Sequence, residues 1–542
     1  MAALNADHMI EEIQANIQTG DTLKARLVLD HLGEVDKKTQ NRLLYELSRG
    51  EVAFTVPLLN HLLTTQPELC TDLPIIRETL ISHLIAYPDV LLNCLVDPHL
   101  ADKTVMIETA GELKFEEATP VLVGLLAATN KTATIKLIIE NLGLIGDPES
   151  INALTDYLYA ADRELIIAAI HALGQVGTNT AMHRLAERMG TDNELDLIIL
   201  GVFSEVQDQV SLEKLNDTLR SHYAHMRIYA KDELVRIGVK AVPVLIENLK
   251  ESDSDLLIHT LNVLGEIGDE SAIMPIRSLL NTMPRNPNVR FAAYEALALL
   301  PLRKGAYTLA AGLNDSEDHV CTAAARAIDR NFNEILAAGI KNMVRAQNDE
   351  ARHIVKIIVN AQVDNLFLRL AKEDYFQELA LIYLPHAHRD IRQHYIALLN
   401  KEGLGEFAAR IAGEEREGGT RIKVCAVDDS RMILNIYKAT LHELGFEPVL
   451  FEFPAGALEW LAKEKPALVL TDLNMPEISG IELTRRIRTL YPSESLPVIM
   501  VTTQSDVQDH EAASAAGVND ILIKPFSAES LRTAMGKYIK GH

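Results

Sequence analysis

The chain contains 542 residues, and this length exceeds what one hydrophobic core supports, so it indicates several domains or a repeat array. Aromatic residues make up only 5% of the sequence and apolar residues 48%, a composition that favours packed helices over a β-sandwich. The formal net charge of −24 argues against a general nucleic-acid-binding surface, which requires a basic face.

The cysteine usage and the N-terminus indicate where the chain resides. Its four cysteines lack the spacing of a metal site and indicate free thiols in a reducing compartment. The first residues show no basic segment followed by an apolar run, and no stretch approaches the roughly 18 consecutive apolar residues of a membrane span. We therefore expect a soluble, cytoplasmic protein that neither spans a membrane nor binds nucleic acid.

The first 412 residues are predicted to be helical. Residues 101–412 are expected to form a solenoid, and residues 1–100 are expected to continue it. In the solenoid segment, apolar helical patterns end in glycines that lie about thirty or about sixty residues apart. Gln207 divides the long interval, and Lys114 precedes the series by about one repeat, so both stand where the other copies have a glycine. The glycines are Gly146, Gly177, Gly238 and Gly268. Each follows the last apolar residue, where a left-handed helix cap is favoured. Two short helices cannot bury their apolar faces alone, so the copies must stack.

This region resembles the HEAT-repeat family in its short form, most clearly over 131–280 and less so after Pro301. The resemblance implies an all-α solenoid with an extended protein-binding surface. Further glycines three residues earlier, Gly143, Gly174 and Gly265, are also interpreted as helix caps, because they follow helices and lack the Lys-Ser/Thr of a nucleotide loop. Some HEAT-like proteins are iron-binding hydroxylases, but the His-Glu pairs they use are missing from these repeats.

His386, His388, Asp390 and His394 lie close enough together in the sequence to suggest a metal site. No thiol or carboxylate-rich partner motif accompanies these residues. Solvated or helix-capping histidines are the more ordinary interpretation.

Residues 413–420 are polar and glycine-rich and are predicted to be a linker. Over 421–542 short apolar runs alternate with helical segments, which predicts an α/β domain of the flavodoxin-like type with parallel strand order 2-1-3-4-5. The predicted strands are Ile422–Val427, Pro448–Phe453, Ala467–Leu473, Pro497–Val501 and Asp520–Ile523. The predicted helices are 431–444, 455–464, 480–490, 506–516 and 527–540.

Five polar residues lie where these strands end: Asp428, Asp429, Asp472, Thr502 and Lys524. In a doubly wound sheet the carboxyl ends of the strands form one edge, so these side chains should meet. Three crowded carboxylates call for a cation, and hard oxygen ligands suit Mg²⁺. A carboxylate neutralised by Mg²⁺ is a competent nucleophile toward a phosphoryl group, which a lysine and a hydroxyl can stabilise.

Here the sequence resembles the response-regulator receiver domain of two-component signalling. The resemblance implies that Asp472 is the phospho-acceptor, that Asp429 binds Mg²⁺ directly and Asp428 through water, and that the backbone carbonyl of Asn474 completes the metal shell. It also implies that Thr502 and Lys524 bind the phosphoryl group and that the bond before Pro525 is cis.

Two positions depart from the family pattern. Ile521 stands where the family often has an aromatic residue that rotates inward, so the usual read-out is in doubt. Thr503 stands where Ala or Gly is common, and its bulk is expected to narrow access to Asp472 and slow phosphate exchange. Together with Gln504 and Pro525, these residues are expected to modulate the switch.

The sequence thus predicts a response regulator, not an enzyme, that accepts a phosphoryl group from a sensor histidine kinase or a histidine phosphotransfer protein. Phosphorylation would switch the binding of an unidentified protein to the solenoid or the receiver face. Two alternatives stay open: a phosphate sink or relay with a constitutive scaffold, and a HEAT-type metal enzyme gated by the receiver.

Overall fold

A computed structural model describes residues 6–100, 102–302, 307–387, 389–412, 422–475, 478–502, 507–524, 526 and 528–539. The predicted linker 413–420 lies outside these ranges, as do His388, Thr503, Gln504 and Pro525. The chain divides into two compact units, Met1–Lys214 and Leu215–His542.

The first unit is helical. Its helices are α1 Ala6–Thr19, α2 Thr22–Leu29, α3 Lys37–Ser48, α4 Val52–Thr65, α5 Pro67–Asp72, α6 Ile75–Ala86, α7 Pro88–Val96, α8 Thr104–Glu112, α9 Thr119–Ala128, α10 Thr132–Ile145, α11 Ile151–Tyr157, α12 Arg163–Val176, α13 Asn179–Arg188 and α14 Asn193–Val206. The next helix, α15 Gln209–Thr218, crosses the boundary between the units.

The second unit begins with further helices and continues into an α/β domain. The helices before the sheet are α16 Ala224–Ile237, α17 Val242–Asn248, α18 Ser254–Ile267, α19 Ile273–Asn281, α20 Pro287–Leu299, α21 Tyr307–Ala311, α22 Asp318–Arg330, α23 Glu334–Arg345, α24 Asp349–Ala361, α25 Asp364–Leu370, α26 Asp374–Tyr383, α27 Arg389–Lys401 and α28 Gly405–Ala412. Short 3₁₀ turns connect some of them, at Leu32–Glu34, Glu116–Ala118, Pro148–Ser150, Gly238–Ala241, Glu270–Ala272, Gly312–Asn314 and Leu384–His386.

Left-handed residues end the repeat helices, as predicted. Gly146, Gly177 and Gly268 cap α10, α12 and α18 with φ of 78°, 63° and 75°. Gln207, predicted to be equivalent, is also left-handed, with φ 56° and ψ 31°. Gly238 differs: its φ is 72° but its ψ is −133°, because the chain turns directly into a 3₁₀ segment. The period of about thirty residues in the sequence therefore marks the positions at which the repeat helices end.

The interpretation of Gly143, Gly174 and Gly265 as caps was wrong. These residues lie inside α10, α12 and α18, where the next helix of the same layer packs closely. A Cβ on Gly143 would lie 2.6 Å from the Ala172 Cα, and one on Gly265 would lie 2.9 Å from the Ala296 Cα. Glycine is required there for the approach of two backbones.

The helices stack in two layers, as a solenoid requires. Within the second unit α16, α18, α20, α22 and α24 pack in succession, and α17, α19, α21 and α23 lie against them. Leucine, isoleucine and alanine fill the space between the layers, for example Leu261 and Leu297, which are fully buried. This arrangement confirms the all-α prediction.

The α/β domain has a parallel sheet in the predicted order β2-β1-β3-β4-β5. Its strands are β1 Lys423–Val427, β2 Glu447–Phe451, β3 Leu468–Asp472, β4 Val498–Thr502 and β5 Asp520–Ile523. Its helices are α29 Arg431–Glu443, α30 Pro454–Leu461, α31 Gly480–Leu490, α32 Val507–Ala516 and α33 Ala528–Gly536. β3 and β4 are buried along their whole length, because helices cover both faces of the sheet.

Among the described residues, no single helix is both long enough and apolar enough to cross a bilayer. Only the bent pair α6 and α7 passes that test jointly, with an angle of 104° between the two helices.

Candidate functional site at the carboxyl edge of the sheet

The strand register brings the predicted polar residues to one edge. Asp472 and Thr502 are the last residues of β3 and β4, and Asp472 pairs with Val501 while Thr502 pairs with Ile523. Asp428 follows the last residue of β1, and Lys524 follows the last residue of β5. Because the strands are parallel and in register, all four ends lie at the same level.

Lys524 joins the two central acidic residues. Its Nζ donates to Asp428 Oδ2 at 2.7 Å and to Asp472 Oδ1 at 2.9 Å. The Lys524 side chain is 10% exposed, that of Asp428 is fully buried and that of Asp472 is 11% exposed. Such short, water-shielded, charge-assisted bonds fix the position of the two carboxylates.

Backbone amides hold the remaining oxygen atoms. The Ser430 N–H donates to Asp428 Oδ1 at 3.0 Å, and the Asn474 N–H donates to Asp472 Oδ2 at 3.3 Å. The Lys524 N–H donates to the Thr502 carbonyl at 2.8 Å, which continues the β4–β5 pairing to the site. The loops after β1, β3 and β5 thus orient the acidic and basic groups.

Burial and crowding disfavour the charged forms of Asp428 and Asp429. Desolvation raises the pKa of Asp428 to about 7, although Lys524 opposes this effect. Desolvation and the neighbouring Asp472 raise the pKa of the half-buried Asp429 to about 6. Desolvation alone would lower the pKa of Lys524, but Asp428 and Asp472 outweigh it and raise that pKa well above its usual value.

The donor set fits a hard divalent cation. Three carboxylates face a single ammonium, so the site keeps an excess of negative charge on oxygen atoms, which are the ligands that Mg²⁺ prefers. Asp428 and Asp472 contact Lys524 directly, and Asp429 is oriented close enough for Asp472 to raise its pKa. In the described ranges, no three acidic, His or Cys side chains already enclose a space for a metal.

The modulating residues are only partly described. Ile521 pairs with Met500 in the sheet and lies half-buried against a small cluster of Leu473, Met500 and Ala513. Thr503, Gln504 and Pro525 lie outside the described residues, so their predicted roles stay predictions. Asn474 lies in the loop two residues after Asp472, as its predicted role requires.

Two residues near the site were missed by the sequence reasoning. The Tyr437 ring is fully buried and stacks on Phe526 with centroids 5.3 Å apart. Its hydroxyl has no hydrogen-bond partner among the described residues, and it helps to raise the pKa of Lys524. Gly480 donates its N–H to the Leu473 carbonyl at 2.9 Å, and a Cβ there would collide with the Asp472 carbonyl. No sequence motif indicates either residue, because each matters through a contact with a segment that is distant in the sequence.

Arg485 and Arg486 on α31 are exposed, and each pairs with Glu482. Arg488 is half-buried and donates to the carbonyls of Gly517 and Leu496 at 2.8–2.9 Å. It is a structural residue that ties the loop before β4 to the loop before β5.

A doubly wound sheet whose first and third strands end in carboxylates, bridged by a lysine from the fifth, defines a receiver-type phospho-acceptor domain. The response regulator receiver domain family matches residues 424–536, and the HEAT repeat family matches 133–200 and 242–329. Through residues 424–536 the chain belongs to the response regulator receiver family, and HEAT repeats precede that domain.

Individual proteins are similar to the C-terminal part of this chain. A chemotaxis protein CheY homolog of Campylobacter jejuni is 40% identical over 114 residues, which are 20% of this chain and 87% of that protein. The solved structure of Vibrio cholerae CheY4 aligns at 28% identity with a TM-score of 0.22, covering 22% of this chain and all of that one. The receiver domain of a Pseudomonas aeruginosa sensor histidine kinase, with magnesium in its active-site cleft, aligns at 25% identity with a TM-score of 0.22, covering 22% of this chain and all of that one.

Proposed function

We propose that the chain is a two-component response regulator that accepts a phosphoryl group on Asp472 and thereby changes the protein contacts of its HEAT-repeat scaffold. The observation that carries this proposal is the Lys524 ammonium placed between Asp428 and Asp472, at 2.7 Å and 2.9 Å, at the carboxyl edge of the sheet. A structural ion pair would not require a third carboxylate, Asp429, beside it.

The chemistry follows from the placement of the groups. A carboxylate oxygen of Asp472 attacks the phosphorus of a phosphohistidine, the O–P bond forms as the P–N bond breaks, and the imidazole leaves with the electron pair. Lys524 is placed to pair with the developing negative charge on the phosphoryl oxygens, and the Thr502 hydroxyl lies at the neighbouring strand end. Mg²⁺, held by Asp428, Asp429, Asp472 and the Asn474 carbonyl, would neutralise the remaining negative charge.

The donor in this proposal is a sensor histidine kinase or a histidine phosphotransfer protein. The output is protein binding and not catalysis of a second reaction, because stacked HEAT repeats offer an extended surface for a partner. A cytoplasmic location fits the four free cysteines, which are all buried.

The phospho-acceptor is tested with acetyl phosphate and Mg²⁺ on the full chain. The wild type should gain one phosphoryl mass, and Asp472→Asn should gain none. Asp520→Asn is the matched control, because Asp520 lies in the same domain and pairs with the exposed Lys537. If the wild type gains no phosphoryl group, or if Asp472→Asn still gains one, the proposal is wrong.

The scaffold role is tested by co-purification from the native cell with wild type and Asp472→Asn chains, each with and without phosphodonor. A partner retained in one phosphorylation state only supports the switch. Partner binding that ignores phosphorylation would instead indicate a phosphate sink with a constitutive scaffold.

A further inference from the structure

A groove lies between two neighbouring helices of the solenoid in the first unit. α10 and α12 pack side by side in a layer that continues with α8 on one side and α14 on the other. The space between α10 and α12 has a volume of about 520 Å³, which is within the usual range of ligand pockets. The two helices approach closely because Gly143 has no side chain where the Ala172 backbone passes. The surface of this layer therefore contains a concave region with room for side chains of another molecule.

The base of the groove is apolar. Ala168 and Ala172 are buried and Ile167 is half-buried, and all three line the groove. Leu144 also lines it and has 42% of its surface exposed. Covering these groups with apolar side chains of a partner would remove them from water, which favours binding.

One ion pair spans the groove. Lys136 Nζ on α10 donates to Glu164 Oε2 on α12 at 2.9 Å, and this bond raises the pKa of Lys136. The exposed Glu140 also lines the groove, together with His171 and Gln175. Two glutamates thus accompany one lysine, and Glu164 already neutralises that lysine. The groove therefore presents an excess negative charge at Glu140.

The negative charge continues along the layer in a regular pattern. Two rows of residues stand two and six positions before the left-handed residue that follows each of the helices α8, α10, α12 and α14. The first row is Glu112, Leu144, Gln175 and Glu205, and the second row is Glu108, Glu140, His171 and Gly201. Half of these residues are acidic and none is Lys or Arg, although Glu112 pairs with Arg77. The apolar groove therefore lies in a surface that is acidic on both sides of it.

We propose that this groove binds a basic amphipathic helix of a partner protein, with apolar side chains on its base and Lys or Arg beside the acidic rows. Such a helix presents an apolar stripe flanked by charges at intervals of three and four residues, and the two rows are also four residues apart. From Lys136 to Leu144 the groove extends about 12 Å, at about 1.5 Å per residue, which matches about two turns of a bound helix. The inference deepens the proposed function, on which it rests, because it names the surface by which the HEAT-repeat scaffold binds its partner.

The test uses a fluorescein-labelled peptide of about fifteen residues, built from Lys and Leu so that the leucines share one helical face, titrated with the full chain in fluorescence anisotropy. Glu140→Lys should weaken binding about fivefold, and this effect should shrink in high salt. Leu144→Gln should also weaken binding about fivefold, but independently of salt. Gln175→Glu adds an acidic group to the first row and should strengthen binding about twofold.

Two matched control changes are at positions that do not line the groove. Glu117→Lys makes the same charge reversal at an exposed position in the 3₁₀ turn before α9, and Met274→Gln removes an apolar side chain that is 65% exposed on α19. Both variants should keep the wild-type affinity. The gain expected for Gln175→Glu cannot come from damage to the fold, so it separates the inference from loss of packing.

Hydrogen exchange gives a second readout, in which the peptide should protect 132–145 and 163–176 and not 273–281. A peptide of the same composition whose leucines do not share a face should bind more weakly, and one with Glu in place of Lys should not bind. If the control variants weaken binding as much as the groove variants, or if separating the leucines changes nothing, the acidic chain attracts the peptide as a whole and the inference is wrong. Absence of binding, or preference for the Glu peptide, also overturns it.

Failure of this inference and failure of the proposed function are distinguishable. Phosphoryl transfer to Asp472 is measured without the peptide, so a groove that binds nothing leaves the phospho-acceptor intact. Conversely, a chain that gains no phosphoryl group loses the proposed function while peptide binding in the groove is still measured.

Discussion

Replacing Lys524 with methionine tests the electrostatic account of the site most directly. The change keeps an unbranched apolar side chain but removes the ammonium that lies between Asp428 and Asp472, whose side chains are 0% and 11% exposed. Removing one partner of a buried ion pair costs about 3–5 kcal/mol, because the remaining charge stays desolvated. We expect about 3 kcal/mol, at the lower limit of that range, because the carboxyls can bind protons instead.

The pH dependence has a definite sign. The pKa of Asp428 is already raised by burial to about 7, and loss of Lys524 raises it further. A carboxyl with a raised folded-state pKa binds more protons folded than unfolded, so the stability of the domain falls as pH rises between the two pKa values. The loss of unfolding free energy caused by Lys524→Met should therefore be larger at about pH 8 than at about pH 6, and Mg²⁺ should reduce this loss.

Trp460 provides the assay, because it is the single tryptophan of the chain and packs on Phe451 in the receiver core. Its fluorescence in urea reports unfolding of this domain within the full chain. With m of about 2 kcal/mol/M, a loss of about 3 kcal/mol lowers the midpoint by about 1.5 M. Lys537→Met is the matched control, since its ion pair with Asp520 is exposed and contributes less than about 1 kcal/mol. Equal shifts in both variants, or a shift insensitive to pH and Mg²⁺, would refute the reasoning.

Two further perturbations follow from the same geometry. Mg²⁺ affinity should rise from about pH 6 to about pH 8, because the ion must displace protons held by Asp428 and Asp429. Calorimetry in buffers of different ionisation enthalpy should show that binding releases protons. An affinity that stays constant over this pH range would contradict the prediction. Gly480→Ala should cost about 2–3 kcal/mol of unfolding free energy, because the added Cβ would collide with the Asp472 carbonyl, and it should lower the urea midpoint reported by Trp460. Gly536→Ala is the control: a Cβ at Gly536 meets open space, so this change should leave the midpoint unchanged or raise it.

The local features of the fold were predictable because they depend on short stretches of sequence. The position of Gln207 as the equivalent of a glycine was predicted from the interval alone, and its φ of 56° confirms it. Helix-interior Gly143 could not be told from a cap, because both uses of glycine follow an apolar pattern. Only the approach of the Ala172 backbone from the next repeat distinguishes them.

The receiver site was predictable to the level of which residues meet, since parallel strands of known order bring their carboxyl ends together. Short stretches of sequence do not show which of these side chains form hydrogen bonds and ion pairs with each other. The bonds from Lys524 to Asp428 and Asp472 depend on segments separated by 96 and 52 residues.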